Sequence, residues 1–343
     1  MKKVRIVFSY LCIAIMALLI AVVLIILVGS DVSKAFAGFL RGIFGSTYSI
    51  AEVLVKATPL TLCGLGIAVG FRSGFTNLGA EGQLYMGAIA ATGVALWRPQ
   101  LPAVVMIPLI LLAGFLMGGI WSVIPGFLKA RFKISEVIVT IMFNYIAINI
   151  VGILVRTVLK DPSYPYPMSP ELPEAAFLPS ILQPTRLHAG VIIPVLCGIV
   201  VYLLVWKTSV GYQMRAVGLN PRASKCFGIS VYRNIILSSV ISGGLAGIAG
   251  AIEIAGLHHK LLEGLSPNYG YIAIIVSLLG NNHPAGVIVA ALGIAALEVG
   301  SLAMQRSAGV PTSISFIIMG SIVVLILARK TIFRRFLADE KES

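Results

Sequence analysis

Charged residues are scarce in this chain. Of its 343 residues only 11% are Asp, Glu, Lys or Arg, whereas 58% are hydrophobic and the mean hydropathy is +0.98. A soluble domain carries about 25% charged residues, so this composition excludes a soluble globular protein and describes one that crosses a membrane repeatedly. Acidic groups are the scarcest: 13 Asp and Glu stand against 26 Lys and Arg, a net charge of +13. The basic residues gather at the breaks between apolar runs, as the positive-inside pattern requires. The excess is therefore explained by the lipid bilayer as partner, and no nucleic acid is expected. The chain has 4 cysteines and 4 histidines. Cys12, Cys63 and Cys197 fall in apolar runs and Cys226 in a basic segment, without disulfide or metal spacing. His258 and His259 are adjacent and point to different helix faces, and His188 and His283 stand alone, so no metal site is expected. There is no Gly-Lys pair anywhere, which removes the phosphate-cradling loop of nucleotide hydrolases. No nucleophile–base–acid set or catalytic carboxylate pair can be picked out, and no enzymatic activity is expected of this chain.

What is present is a succession of apolar runs. They predict an all-α polytopic membrane protein, 1–343 forming a single transmembrane domain of about ten spans with both termini cytoplasmic. Lys2, Lys3 and Arg5 precede a first span over 6–28, too long for the apolar core of a signal peptide. Residues 30–49, with Phe36, Phe39, Leu40 and Phe44, predict an amphipathic helix lying on the outer surface. The core, 50–330, has spans at 50–70, 81–97, 102–125, 135–155, 189–206, 234–255, 269–279, 287–304 and 311–328, and 331–343 forms a cytoplasmic tail. Lys129, Arg131 and Lys133 read as a basic loop. The proline-rich stretch 157–187 is too broken to span and reads as an outer loop. In the seventh span Gly243, Gly244, Gly247 and Gly250 suit close helix packing.

The stretch Gly70–Ala88, GFRSGFTNLGAEGQLYMGA, is polar amid these apolar runs. Polar groups at membrane depth are tolerated where they are buried in protein or face a water-filled path. Its glycines Gly70, Gly74, Gly79 and Gly82 suit a broken backbone that enters a helix at about Ala80, and interrupted spans mark the solute path in many carriers. A short cytoplasmic loop, with Glu81 and Gln83 in the first turn of the next helix, is the alternative. Glu136, Thr140 and Asn144 share one face of the fifth span. Asn77, Glu81, Gln83, Asn144 and Asn149 are the candidates to line or brace the path, since amides and an acid can bond ribose hydroxyls and base edges. Phe75, Tyr85 and Tyr145 can stack on a base, or simply pack. A weak repeat accompanies them: Asn77-Leu-Gly79 precedes the third span and Asn268-Tyr-Gly270 the eighth, at corresponding places in spans 2–5 and 7–10, as an inverted repeat would place them.

If such a chain moves a solute uphill, its energy comes from an ion gradient or from another polypeptide. Most carboxylates sit at span ends, which argues against an ion relay. The basic segment 207–233 offers the other route. It holds a turn at Asn220-Pro221, where Asn220 can cap a short helix with Pro221 in its first turn, and Gly228 is a natural stop.

At these residues a resemblance becomes specific. GYQMRAVGLNPRASKCFGI is similar to the cytoplasmic coupling loop of ABC importer permeases, in the branch serving ribose-type sugars, branched-chain amino acids and nucleosides. NLGAEGQLYMGA (Asn77–Ala88), SEVIVTIMFNYIA (Ser135–Ala147) and YGYIAIIVSLLGNNHPAGVIVAAL (Tyr269–Leu292) resemble its nucleoside and simple-sugar members. The resemblance implies a permease subunit that translocates a nucleoside or simple sugar. Its implied partners are an ATP-binding cassette ATPase, a second homologous permease or a second copy of itself, and an extracytoplasmic substrate-binding lipoprotein. ATP and magnesium would reside on the ATPase, with no cofactor in this chain, and the assembly in the cell membrane. It further implies that Arg215, Ala216, Gly218, Asn220, Pro221, Ala223 and Gly228 belong to the ATPase-coupling segment. The alternative is a self-contained ion-coupled carrier or facilitator of a small polar solute.

Overall fold

The computed structural model describes residues 2–311 continuously, with further positions scattered between 313 and 328. The tenth span expected at 311–328 lies largely outside the described residues. The basic cluster of Arg329, Lys330, Arg334 and Arg335 lies wholly outside them. Chain packing separates two compact units: residues up to Val53 together with those from Leu292 onward, and Leu54–Ala291.

The described chain is overwhelmingly helical, as its apolar runs require. Its helices are α1 (Lys2–Leu27), α2 (Val32–Phe44), α3 (Thr47–Arg72), α4 (Ala80–Trp97), α5 (Ala103–Phe132), α6 (Glu136–Arg156), α7 (Ile192–Lys207), α8 (Ser209–Leu219), α9 (Pro221–Cys226), α10 (Val231–Glu253), α11 (Tyr269–Leu279) and α12 (Pro284–Ala308). Six stretches among the described residues are long and apolar enough to cross a bilayer: Thr47–Arg72, Ala103–Phe132, Glu136–Arg156, Ala189–Lys207, Val231–His258 and Pro284–Ala308. With 11 residues, α11 is about 16 Å long, half the hydrocarbon thickness. The exception to the all-helical pattern is a short antiparallel hairpin, β1 (Ser180–Leu182) with β2 (Leu187–His188), inside the proline-rich stretch.

In the unit that holds the chain's beginning, Asp31 caps α2 by accepting from the backbone N–H groups of Ser33 and Lys34. Ala35 and Ile43 of α2 are buried, Phe39 packs toward the cluster of Ile25, Met304 and Val310, and Phe36, Leu40 and Phe44 stay exposed. That is the amphipathic helix expected at 30–49.

In the unit Leu54–Ala291, α10 packs against α4 and α5 at glycine contacts. A methyl group on Gly247 would lie 2.0 Å from the Gly114 carbonyl, one on Gly243 2.3 Å from that of Gly118, and one on Gly87 2.3 Å from that of Gly247. Small residues thus let three helix backbones touch, and the first half of α4, Ala80–Ala88, is entirely buried as a result.

Two boundaries differ from expectation. The fourth span does not stop at Pro125: α5 continues to Phe132, so Lys129 and Arg131 lie in its last turn rather than in a loop, and Lys133 ends it in the left-handed conformation. Pro125 is buried against neighbouring helices, and such packing lets a membrane helix carry an internal proline. The segment 207–233 is not a loop around one short helix but two helices, α8 and α9. Thr208 caps α8 through Gly211 N–H, and Gly211 leaves no room for a side chain against the Leu204 and Val205 carbonyls of α7.

Candidate functional site

The polar stretch 70–88 is where the expected path residues meet. After α3 ends at Arg72 the chain runs without regular structure to Gly79 and enters α4 at Ala80. Asn77, fully buried, holds this break together. Its Nδ2 donates to Gln83 Oε1 and to Ser242 Oγ, both at 2.8 Å, and its Oδ1 accepts from Gly79 N–H at 2.9 Å and from Gln83 Nε2 at 3.0 Å. Every hydrogen-bonding position of that amide is occupied, which is what a buried amide requires. Asn144 of α6 does the same on the other side: Oδ1 accepts from Gly82 N–H at 2.8 Å and Nδ2 donates to the Leu78 carbonyl at 2.9 Å. Phe75 fills the interior beneath.

Glu81 reaches across to a second helix start. Its carboxylate accepts from Gly270 N–H at 2.6 Å, with Ser266 beside it. Gly270 lies so close that a methyl group on it would sit 2.1 Å from Glu81 N. The starts of α4 and α11 therefore abut, and one buried carboxylate serves the free N–H groups of α11, where a negative group is favoured by the helix dipole. Ser266 also accepts from Tyr269 N–H at 3.0 Å, and its own N–H donates to the Tyr85 hydroxyl at 3.3 Å. Tyr271 of α11 lies beside Asn144. The two sequence breaks that share an Asn-x-Gly pattern are one structural junction.

Six of the eight expected path residues, Phe75, Asn77, Glu81, Gln83, Tyr85 and Asn144, are buried at this junction. Tyr145 and Asn149 are not. Both lie on the exposed face of α6, where Asn149 Nδ2 donates to the Tyr145 carbonyl at 2.7 Å. The sequence alone does not point to Ser242 or Ser266, and it assigns Lys129 to a basic loop rather than to this site. Lys129 pairs with Glu136 and donates to the Gly74 carbonyl, while Glu136 accepts from Thr76 N–H at 3.1 Å.

The basic segment leads into the same break. Asn220 caps α9, its Oδ1 accepting from Arg222 and Ala223 N–H groups at 3.1 Å each, and Pro221 stands at the first helical position. Gly228 closes the segment at φ +76°. Leu219 and Phe227, at its two ends, are 88% and 84% exposed, and Pro221, Arg222 and Ala223 are exposed between them. Arg215 and Ala216 are half-buried in α8. Gly218 faces the protein itself: a methyl group there would lie 2.1 Å from the Arg72 carbonyl and 3.0 Å from Gly74 N. Arg72 in turn donates to the carbonyls of Asn281 and Asn282, at 2.9 and 3.2 Å, in the turn that follows α11. One residue thus touches the basic segment, the break before α4 and the end of α11. Among the described residues no group of three or more His, Cys, Asp or Glu side chains is placed to hold a metal ion.

Comparison with known proteins identifies related permeases. The guanosine ABC transporter permease protein NupP of Bacillus subtilis is 38% identical over 321 residues, 92% of this chain and 91% of its own. The glucose ABC transporter permease protein TsgB13 of Haloferax volcanii is 33% identical, covering 85% of this chain and 79% of its own. The nucleoside ABC transporter permease protein NupB of Lactococcus lactis is 32% identical, covering 91% and 90%. No solved structure matches the chain. The family model described as branched-chain amino acid transport system / permease component matches residues 49–327, from the start of α3 onward, and the chain belongs to that family of permease subunits.

Proposed function

We propose that this chain is the membrane-spanning permease subunit of an ATP-driven importer in the cell membrane, and that it translocates a nucleoside, or a simple sugar, delivered by an extracytoplasmic binding protein. The observation that carries the reading is the 38% identity to a guanosine permease over 92% of the chain. A second relative named for nucleosides and one named for glucose agree in class and widen the solute range. The chain works as one membrane domain, pairs with a related permease or with a second copy of itself, and uses ATP and magnesium held by a partner ATPase. Both termini lie on the cytoplasmic side with α9, and the two breaks belong to an inverted repeat.

The geometry supports a specific division of labour. Leu219, Phe227 and the exposed face of α9 enter a cleft of the ATPase, since two exposed large apolar side chains beside Arg222 and Lys225 suit an interface with an apolar centre and a polar rim. Gly218 and Arg72 carry the movement inward. ATP binding shifts α8 and α9, the α4–α11 junction separates, and the polar groups of Asn77, Glu81, Gln83 and Asn144 become available to the hydroxyls and base edges of the solute. Hydrolysis restores the closed junction. Co-purification tests the first step. With Leu219→Asp and Phe227→Asp combined, the permease should remain folded but lose its ATPase. Retention of the ATPase by that variant contradicts the assignment of the docking surface.

A further inference from the structure

A polar cavity lies at the other end of α10. That helix has 23 residues, so its end is about 35 Å from the basic segment at its start, a full bilayer thickness away. There the helix widens into a π turn, Ile254–His258, a feature often found at functional sites. The proline-rich stretch is tied down over it: Leu178 N–H donates to the Ala255 carbonyl, Leu172 N–H to that of His259 and Ser169 N–H to that of Leu261, at 2.8–2.9 Å. Between cap and turn lies a cavity of about 510 Å³, walled by Phe177, Ser180, Thr185, Arg186, His188 and His259, among others. Cavities of roughly 300–1,000 Å³ hold small molecules.

The wall is chemically selective. His259 packs against Phe177 with ring centroids 3.8 Å apart and ring planes inclined by 32°, giving an aromatic wall. His188 is 3% exposed and clamped between Gly190 and Gly256, whose substitution by alanine would drive a methyl group to within 2.6 Å of the ring. The Nδ1 atoms of His188 and His259 are both buried without a hydrogen-bond partner, an unusual condition for polar groups away from water. Burial, with a smaller contribution from the neighbouring His259, lowers the His188 pKa to about 4. Burial also lowers that of His259, with Glu171 opposing. Both rings are therefore neutral near pH 7, and each can donate or accept one hydrogen bond.

We propose that this cavity is a solute-binding vestibule that takes a nucleoside from the binding protein before the α4–α11 junction opens, the base stacking beside Phe177 and His259, its edge bonded by imidazole nitrogen, and the ribose hydroxyls meeting Ser180 and Thr185. The proposal rests on the reading of the chain as a nucleoside permease, and names where in it the solute first binds. The test uses the assembled permease and ATPase in lipid nanodiscs, without the binding protein, and tritiated guanosine as probe. Saturable binding is expected, weakened about tenfold by His259→Ala and by Phe177→Ala, and less by His259→Asn, which keeps a hydrogen-bonding side chain. Basal ATP hydrolysis and the elution profile establish that the variants are assembled. Absence of saturable guanosine binding, or equal affinity in wild type and both alanine variants, overturns the vestibule even if the complete importer, with its binding protein, takes up guanosine normally. Failure of the complete importer to take up guanosine, with uptake of glucose instead, overturns the nucleoside reading itself.

Discussion

The two breaks, Asn77-Leu-Gly79 before α4 and Asn268-Tyr-Gly270 before α11, look alike in sequence but are held in different ways. The first is built around its own amide: Asn77 bonds Gly79, Gln83 and, on α10, Ser242, and its side chain is fully satisfied, while Asn144 of α6 bonds Leu78 and Gly82. The second is not. Asn268 stands in the left-handed conformation at φ +68° and its side chain caps nothing; the N–H groups of α11 are served by Ser266 and, across the junction, by Glu81. The start of α11 therefore depends on α4, through the Glu81 carboxylate and the Tyr85 hydroxyl. Separating the two helices would remove an acceptor from α11.

Substitutions at four positions sharpen or break that contrast. The largest effect belongs to Gly270→Ala, where backbone meets backbone and no side chain can yield; a loss of about 3 kcal/mol or more and of nearly all uptake is expected, read by thermal unfolding in detergent and by transport. Next is Glu81→Ala, which leaves a buried N–H without its acceptor, a cost of about 1–3 kcal/mol. It should raise basal ATP hydrolysis, because the closed junction is weakened, while lowering solute-stimulated uptake. Asn77→Ala should destabilise by about 1–3 kcal/mol as well, but should leave basal hydrolysis unchanged, since the tie between α4 and α11 survives. If Asn77→Ala and Glu81→Ala behave alike in both assays, the two breaks are equivalent and the asymmetry is wrong. The smallest effect is at Asn268: Asn268→Gly should be within about 1 kcal/mol of wild type, whereas Asn268→Ala should cost about 1–2 kcal/mol for the left-handed backbone.

Much of this arrangement was legible in the sequence where the chemistry is local. Asn220 followed by proline announced α9, the break ending at Gly79 announced α4, and the spacing of Glu136, Thr140 and Asn144 announced a polar face whose last two members are buried. Tyr269–Leu279 was read at its observed limits. The partners were not legible. Ser242 lies 165 residues from Asn77, and Gly270 lies 189 from Glu81, so nothing local in either sequence window identifies the other. Polar side chains at Tyr145 and Asn149 carried the same chemical signal as Asn144, yet a helix turns by about 100° per residue and only Asn144 faces inward. Helix α8 was hidden for a related reason. Its glycines read as loop residues, but Gly211 and Gly218 are small because α7 and the Arg72 turn pass against them.

The central claim is that the chain is a passage without a motor, powered through the segment from Leu219 to Phe227. Uptake of labelled nucleoside into proteoliposomes tests it most directly. The account predicts ATP-dependent uptake when permease, ATPase and binding protein are reconstituted together, and none when Leu219→Asp and Phe227→Asp are combined in an otherwise folded permease. Accumulation of the solute by this chain alone, in vesicles free of nucleotide, would contradict it.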